Sequence, residues 1–450
     1  MNKNETQPPV NPLKQGDAVV LTGVGGVVGR QLVKELQRKG VALRVLSRDP
    51  NVLSDWLPAE VKTGTYEQMD EVLAGADAVV HMASRNNDLT GEWEGFQRDN
   101  VDLSLKVAAA AKQAGVGRFV FVSTTKALTD KGGHYGRSKA MAERKLADLN
   151  DSDFRVSVAR LCPVYGKETR GKIRLLQNLP LGLGKLALWL VRSLVPIVST
   201  ERVAVGIGDL LESTDPLEEV CLSDPLSKFS VYGLFVFFLN LAFAVAVPLI
   251  MGIPCLIAGV AIALTSRGGV FFIQDRLGQG QGLFPLCKFR TMFTGAPVAG
   301  THEVGKSHVT QVGAFLRKSK IDDDELPQTW NILKCQINLV GPRPGLEKQT
   351  ELTRQRQRYD VFATRPGITG YGQVSGVDMS EPNRLAIHDH RYAALRAILL
   401  DVKIVLKTVL GGGFGDPVGG DDSSASREVS AGESSPSIPN ESVDSTGVQS

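Results

Sequence analysis

Thirty-eight consecutive residues, Phe229 to Ser266, carry no charged side chain. A membrane-spanning helix needs roughly 20 apolar residues for a hydrocarbon core of about 30 Å. The run is therefore too long for one straight crossing. Pro248 and Pro254 interrupt it, and proline removes a helical N–H and bends the axis. Two geometries fit: two short crossings, or one helix that enters the bilayer, kinks and leaves on the side it entered. Lys228 precedes the run and Arg267 and Arg276 follow it, so charge favours neither end for export. A re-entrant helical segment over residues 226–267 is expected, with a buried hairpin of a soluble protein as the alternative.

The 450 residues leave room for a domain on each side of this run. Residues 1–15 are polar, read as a flexible leader, and contain no apolar stretch of the kind a secretory signal needs. From residue 16 to 225, short apolar runs alternate with segments of helical period, as βαβ units around a parallel sheet do. Residues 268–411 form a second, smaller α/β region. Residues 412–450 are rich in Gly, Ser and Pro, carry seven acidic residues against one Arg, and read as a disordered acidic tail. The net charge of +3 gives no argument for a nucleic-acid partner. With the acidic tail set aside, the remainder is more basic and suits an anionic membrane surface. Cys162, Cys221, Cys255, Cys287 and Cys335 never fall at CxxC spacing, which argues against a disulfide framework and a zinc site.

Ala18 to Gly29 is an apolar strand running into a Gly-rich turn, with a helix beginning near Arg30. Gly23, Gly26 and Gly29 have the spacing that lets backbone N–H groups and a helix N-terminus approach a pyrophosphate. The second strand, Ala42 to Leu46, is followed by Ser47 and Arg48. An Arg there suits a 2′-phosphate, which favours NADP(H), while Asp49 keeps NAD(H) open. Asp77–Ala83 and Arg118–Thr124 read as buried parallel strands. Tyr135 and Lys139 then stand one helical turn apart on one face. A lysine beside a tyrosine lowers the phenol pKa and allows proton exchange with a carbinol or ketone. Thr124 is placed to donate to the same oxygen. This stretch resembles the extended short-chain dehydrogenase/reductases, the family of nucleotide-sugar epimerases, dehydratases and ketoreductases. Arg160–Gly166 matches the family's segment after its catalytic helix. The region from Ser199 to Asp224 is shorter than the part of the family that grips the sugar nucleotide. A catalytically inactive, nucleotide-binding scaffold is therefore the alternative for this domain.

After the uncharged run come Gly268–Gly278, Lys288–Met292, Asp324–Asn331, Leu339–Pro344 and Arg365–Gly376, in that order. Together they resemble the bacterial sugar transferases, the monotopic phosphoglycosyl transferases. The family's membrane helix breaks at Ser-Pro; here Ile253 stands before Pro254. Where the family often has an Arg after its Gln-Val-Asn-Gly block, this chain has Val377.

The resemblance implies transfer of a sugar 1-phosphate from a UDP-sugar to a polyprenyl (undecaprenyl) phosphate, the first step of surface-glycan synthesis. It makes Asp324 the nucleophile and Glu325 its partner, with both as Mg²⁺ ligands. The preceding Asp322 and Asp323 are neighbours in the acidic run, and the following Leu-Pro-Gln fixes Asp324-Glu325 as the dyad. A carboxylate nucleophile splits the displacement into two steps, and a divalent cation offsets its repulsion from the phosphates. Lys288, Arg290, Arg317 and Arg343 are the expected phosphate binders. Arg343, flanked by two prolines, is held for bidentate contact. Asp389 and Tyr392 receive no role.

The combined expectation is a bifunctional enzyme at the inner (cytoplasmic) membrane with both catalytic domains on the cytoplasmic face. A homodimer is compatible with it. The first domain would reduce or epimerise a nucleotide sugar, and fusion would raise its effective concentration at the transferase.

Overall fold

The computed structural model describes residues 11–86, 91–166, 180, 183–226, 230–294, 308–319 and 325–412. The first half opens with β1 (Ala18–Thr22), α1 (Val27–Arg38), β2 (Ala42–Leu46), β3 (Lys62–Gly64), α2 (Met69–Leu73) and β4 (Ala78–His81). It continues through α3 (Trp93–Gln97), α4 (Leu103–Gln113), β5 (Arg118–Thr124), α5 (Gly133–Ala147), β6 (Arg155–Leu161) and β7 (Val164–Tyr165). It closes with α6 (Leu183–Leu194), β8 (Val198–Ser199), α7 (Thr200–Glu212) and β9 (Glu219–Leu222).

Seven strands form one sheet in the order β3-β2-β1-β4-β5-β6-β9, and every pairing is parallel. Strands covered by helices on both faces bury every residue. Accordingly β1, β4, β5 and β6 are buried at each position. The strand order reverses direction between β1 and β4, and an open α/β sheet binds its ligand at that switch point, beyond the strands' C-terminal ends. The stretch read as a flexible leader is tied down from Asn11. Leu13 N–H donates to Leu211 O, and Arg118 Nε donates to Asn11 O, both at 3.1 Å.

The second half begins with α8 (Val231–Thr265), a hairpin of β10 (Phe271–Leu277) and β11 (Leu283–Phe289), and α9 (Gln311–Ser319). Next come α10 (Glu325–Leu333), β12 (Asn338–Val340), α11 (Thr350–Arg358), β13 (Gly367–Thr369) and α12 (Tyr371–Val374). It ends with α13 (Pro382–Leu395) and α14 (Ile398–Lys407). The hairpin is antiparallel and β12–β13 a parallel pair.

Helix α8 is one continuous helix of 35 residues with both prolines in its interior, rather than two crossings. It is long and apolar enough to cross a membrane. One stripe of it is covered by the α/β region at both ends. Ala244 packs with Phe284, Leu286 and Ile332, while Cys255, Ala258 and Ile262 pack with Phe289 and Leu316. Asn240 pins the first half, accepting from Leu339 N–H at 2.8 Å and donating to Asn338 Oδ1 at 3.0 Å. The opposite face leaves Leu249, Ile250, Ile253 and Leu264 at least 72% exposed, which water does not favour for so contiguous a patch.

The two halves meet along β9 and α13. Glu219 of β9 accepts both arms of Arg391, at 2.6 and 2.9 Å, and pairs with Arg160 at 2.7 Å. His390 accepts from Cys221 N–H at 3.2 Å, and its Nδ1 lies 3.1 Å from Tyr359 O. A ring that accepts at Nε2 is neutral with its proton on Nδ1, facing Tyr359 O, and burial lowers its pKa. Ser223 and Arg358 add bonds to Ala394 O and Asp215.

Candidate functional sites

The turn between β1 and α1 shows why each of its glycines is there. Gly23 sits at φ +73°, and a Cβ on it would fall 2.5 Å from the backbone nitrogen of Ala83. A Cβ on Gly29 would fall 2.4 Å from Val24 Cα. These two are demanded by the fold itself. Gly26 differs: it caps α1 in an extended conformation, and a Cβ there would touch nothing closer than 3.7 Å. It faces a cavity of about 1070 Å³ at the β1/β4 switch point, lined also by Gly23, Gly29, Arg48, Thr124 and Tyr135. The backbone N–H groups of the first turn of α1, with no acidic residue there, make an anion cradle. The residues present therefore fit a dinucleotide.

A discriminating prediction follows from that difference. Gly29→Ala should destabilise the domain by about 2 kcal/mol or more through overpacking. Gly26→Ala should leave the melting curve within about 0.5 kcal/mol yet weaken nicotinamide dinucleotide binding about tenfold, because the methyl occupies the space a pyrophosphate approaches. Thermal melts and dinucleotide titrations of the two variants check it.

Lys139 does not line this cavity. It is 1% exposed, donates to Val122 O at 2.9 Å, and its ammonium lies 4.5 Å from the Phe121 ring centre. Burial pulls its pKa down to about 7, against the opposing charge of Glu143. Tyr135 and Thr124 reach the cavity while their lysine lies beneath them.

In the second half, Lys288 lies on β11 opposite Phe272, and Arg290 directly follows that strand. Arg290 Nη2 donates to the Ser266 carbonyl and hydroxyl at 2.9 and 2.7 Å, tying down the end of α8. Its Nε and Nη1 are buried with no hydrogen-bond acceptor among the described residues. Buried guanidinium nitrogens are costly to leave unpaired, so an anion is the chemistry that fits them. The loop holding Arg343 is fastened to the hairpin: Arg276 donates to Pro344 O at 3.2 Å and Leu277 N–H to Gly345 O at 2.9 Å.

Helix α10 starts at Glu325 and packs on the hairpin through Ile332, with Asn331 donating to Pro285 O at 2.8 Å. Asp324 lies outside the described residues, and the placement described for Glu325 and Arg317 is that of their backbone within α10 and α9. The structure thus joins the hairpin, the Pro-Arg-Pro loop and the helix following Asp324 into one packed unit.

Sequence reasoning gave no role to Asp389 and Tyr392, and missed Asn240 and Glu219. Asp389 forms a buried pair with Arg356 at 2.7 Å. Tyr392 donates to Asp401 at 3.0 Å, with Val340 O 3.2 Å from the same hydroxyl, and Asp401 also receives Tyr232 of α8 at 2.8 Å. These residues brace the unit around β12 and α8. Asn240 left a trace in the sequence as the lone amide in the uncharged run; Glu219 left none.

A Rossmann-type α/β domain with an anion cradle and a smaller α/β unit built on one long apolar helix are thus combined in one chain. The chain belongs to the bacterial sugar transferase family, which it matches over residues 232–412; residues 19–189 match the NAD-dependent epimerase/dehydratase family. Exopolysaccharide production protein ExoY of Rhizobium meliloti is 35% identical over 37% of this chain and 80% of its own length. The UDP-N-acetylgalactosamine-undecaprenyl-phosphate N-acetylgalactosaminephosphotransferase of Aeromonas hydrophila is 36% identical over 38% of this chain and 41% of its own length. The chain spans less than two thirds of that relative, and 31% and 60% of two further curated transferases. Among solved structures, the UDP-N-acetylglucosamine 4-epimerase of Bacillus cereus is 16% identical with a TM-score of 0.37, over 46% of this chain and 76% of its own.

Proposed function

We propose that the second half transfers a sugar 1-phosphate from a UDP-sugar to polyprenyl phosphate at a membrane surface. The observation carrying this reading is the ordered motif set, with Asp324 directly ahead of the Glu325-Leu-Pro that opens α10, in a chain of this family. In the proposed chemistry a carboxylate oxygen of Asp324 attacks the phosphorus bearing the sugar. The bond from that phosphorus to the oxygen shared with the UMP phosphate breaks, and UMP departs with that electron pair. Polyprenyl phosphate then attacks the same phosphorus, forms the diphosphate link and returns the carboxylate. Asp324 and Glu325 would hold Mg²⁺, which would neutralise phosphate charge. Arg290, with two nitrogens that have no acceptor among the described residues, and Lys288, Arg317 and Arg343 bind the diphosphate.

The membrane reading is supported by α8. Its exposed face is apolar along its length, and a helix packed on one α/β unit near both ends keeps those ends on one side of a bilayer. We place the protein at the inner membrane with both domains, 16–225 and 268–411, in the cytoplasm and 412–450 as an acidic tail. The test is incubation of membranes with a panel of UDP-sugars and undecaprenyl phosphate, following UMP. Release that depends on one donor and on the lipid is expected; release with none of the donors would sink the reading.

For the first half, the cavity holds NADP(H) or NAD(H), with Gly23, Gly26 and Gly29 at the pyrophosphate and Arg48 at the ribose end. The nicotinamide supplies a hydride when bound. Tyr135 exchanges the proton at the sugar oxygen, and Thr124 donates a hydrogen bond to it. A second reading, a nucleotide-binding scaffold, is favoured by one observation: Lys139 is turned onto Val122 O instead of into the cavity. If the domain is a reductase, Tyr135→Phe should slow reduction of a UDP-4-keto-sugar about 100-fold or more with dinucleotide binding intact. A wild-type chain that binds dinucleotide and reduces nothing establishes the scaffold.

A further inference from the structure

Helix α6 belongs to the sheet domain, yet it presents the wrong face to water for a soluble one. Leu183, Leu186, Trp189, Leu190 and Leu194 are each 41–50% exposed, while Gly184 and Ser193 are the residues it buries. Positions 183, 186, 190 and 194 recur at the helical period and form a single apolar stripe, with Trp189 beside it. The side turned to the protein carries Gly184 with the half-buried Leu188 and Val191, while this second apolar stripe is left uncovered.

The stripe is not isolated. Helix α6 lies against α8 and against α14, and α14 in turn exposes Leu399 and Leu406. Three helices from both halves of the chain thus bring uncovered apolar surface together. Their charges have one sign at the solvent side: Lys185 and Arg192 are the only charges on α6, and Lys403 and Lys407 accompany Asp401 on α14. Asp401 itself is buried and bonded to two tyrosines.

We propose that α6 is a second membrane-contact element, lying in the interfacial plane beside α8 and seating the sheet domain directly on an anionic bilayer. Lipid is the occupant these features select. An in-plane helix buries its apolar stripe at the headgroup–acyl boundary with basic residues beside it, tryptophan favours that depth, and anionic headgroups attract lysine and arginine there. Continuity with α8 decides between lipid and a soluble partner, because a surface that carries α8 into a bilayer brings the adjoining α6 stripe to the same plane. The proposal rests on the membrane reading of α8, and it adds that the sheet domain does not hang free on a tether but is held by its own helix.

The test uses the full, unmodified chain in vesicles of phosphatidylcholine and phosphatidylglycerol, a fraction of the latter carrying a photoactivatable diazirine in the acyl chain. After illumination, lipid adducts are expected on peptides from both 183–194 and 231–265. The variant Leu186→Glu with Leu190→Glu should lower the adduct yield on 183–194 about fivefold or more and leave that on 231–265 unchanged. Adducts on 231–265 alone overturn the proposal while the membrane reading of α8 stands. Adducts on neither overturn both. Cross-links between 183–194 of two copies, without lipid adducts there, overturn it in favour of a self-association surface.

Discussion

Asp324→Asn is expected to reduce UMP release by a factor of about 10⁴ or more, leaving the protein folded and able to bind donor. Asparagine keeps the size of the side chain and a carbonyl acceptor but has no carboxylate to attack phosphorus. The loss therefore falls on the chemical step and not on binding. The acidic run supplies its own controls. Asp322→Asn and Asp323→Asn change the same charge within two residues and should retain most of the activity, because only residue 324 directly precedes the Glu-Leu-Pro that opens α10. Donor carrying a label in its sugar phosphate, given without lipid acceptor, should mark the peptide holding residues 322–325 in the wild type. That label should be absent in Asp324→Asn. Unchanged UMP release in Asp324→Asn, with loss in Asp323→Asn, would move the nucleophile by one residue; loss in neither would remove the carboxylate mechanism.

The parts of this protein that could be read from its sequence are those whose physics is local. The buried strands β1, β4 and β5 are short unbroken apolar runs because helices cover both faces of the sheet, and that composition is visible without coordinates. Gly23, Gly26 and Gly29 are visible for the same reason, since strand, turn and helix follow one another in the chain. Helix α8 was legible in length but not in orientation. Ala244, Val247, Cys255, Ala258 and Ile262 face protein, yet the residues between them are equally apolar, so no periodicity marked the packed stripe. The position of Lys139 was hidden differently. YxxxK spacing puts tyrosine and lysine on one helix face, but it does not say that the ammonium finds Val122 O before it finds the cavity. Helix α6 lay inside a region read as one α/β domain, and nothing in that reading marked its leucines as outward-facing.

The junction between the halves had no sequence signature at all, since its charges are about 60 to 230 residues apart, and it gives the second large expected effect. Tyr135, Lys139 and Glu143 recur every four residues along α5. Glu143 pairs with Arg160 at 2.7 Å, Arg160 with Glu219 at 2.7 Å, and Glu219 with Arg391 of α13 at 2.6 Å. A line of buried charge thus runs from the helix beneath the dinucleotide cavity to the transferase unit.

Glu219 is the shared member. Burial alone would raise its pKa, but the bond from Arg391 and the charge of Arg160 outweigh that and hold it at about 2. Glu219→Ala leaves Arg391 without its carboxylate and strips Arg160 to one partner, a loss of about 3–5 kcal/mol for a broken buried pair. In a domain of this size that corresponds to a melting shift of about 10 °C. The pH dependence gives an independent measure. The folded pKa is depressed below the ordinary 4.5, so the stabilisation is complete above that value and is lost as pH falls toward 2, amounting to about 3 kcal/mol. Glu219→Gln should melt lower than wild type at neutral pH and converge with it as pH falls through that window. If instead the wild type and Glu219→Gln keep the same difference from pH 7 to pH 2, Glu219 is not the titrating link. If Glu219→Ala melts as the wild type does, the two halves are held by the contacts of His390, Ser223 and Arg358, and the line through Glu219 carries no coupling between them.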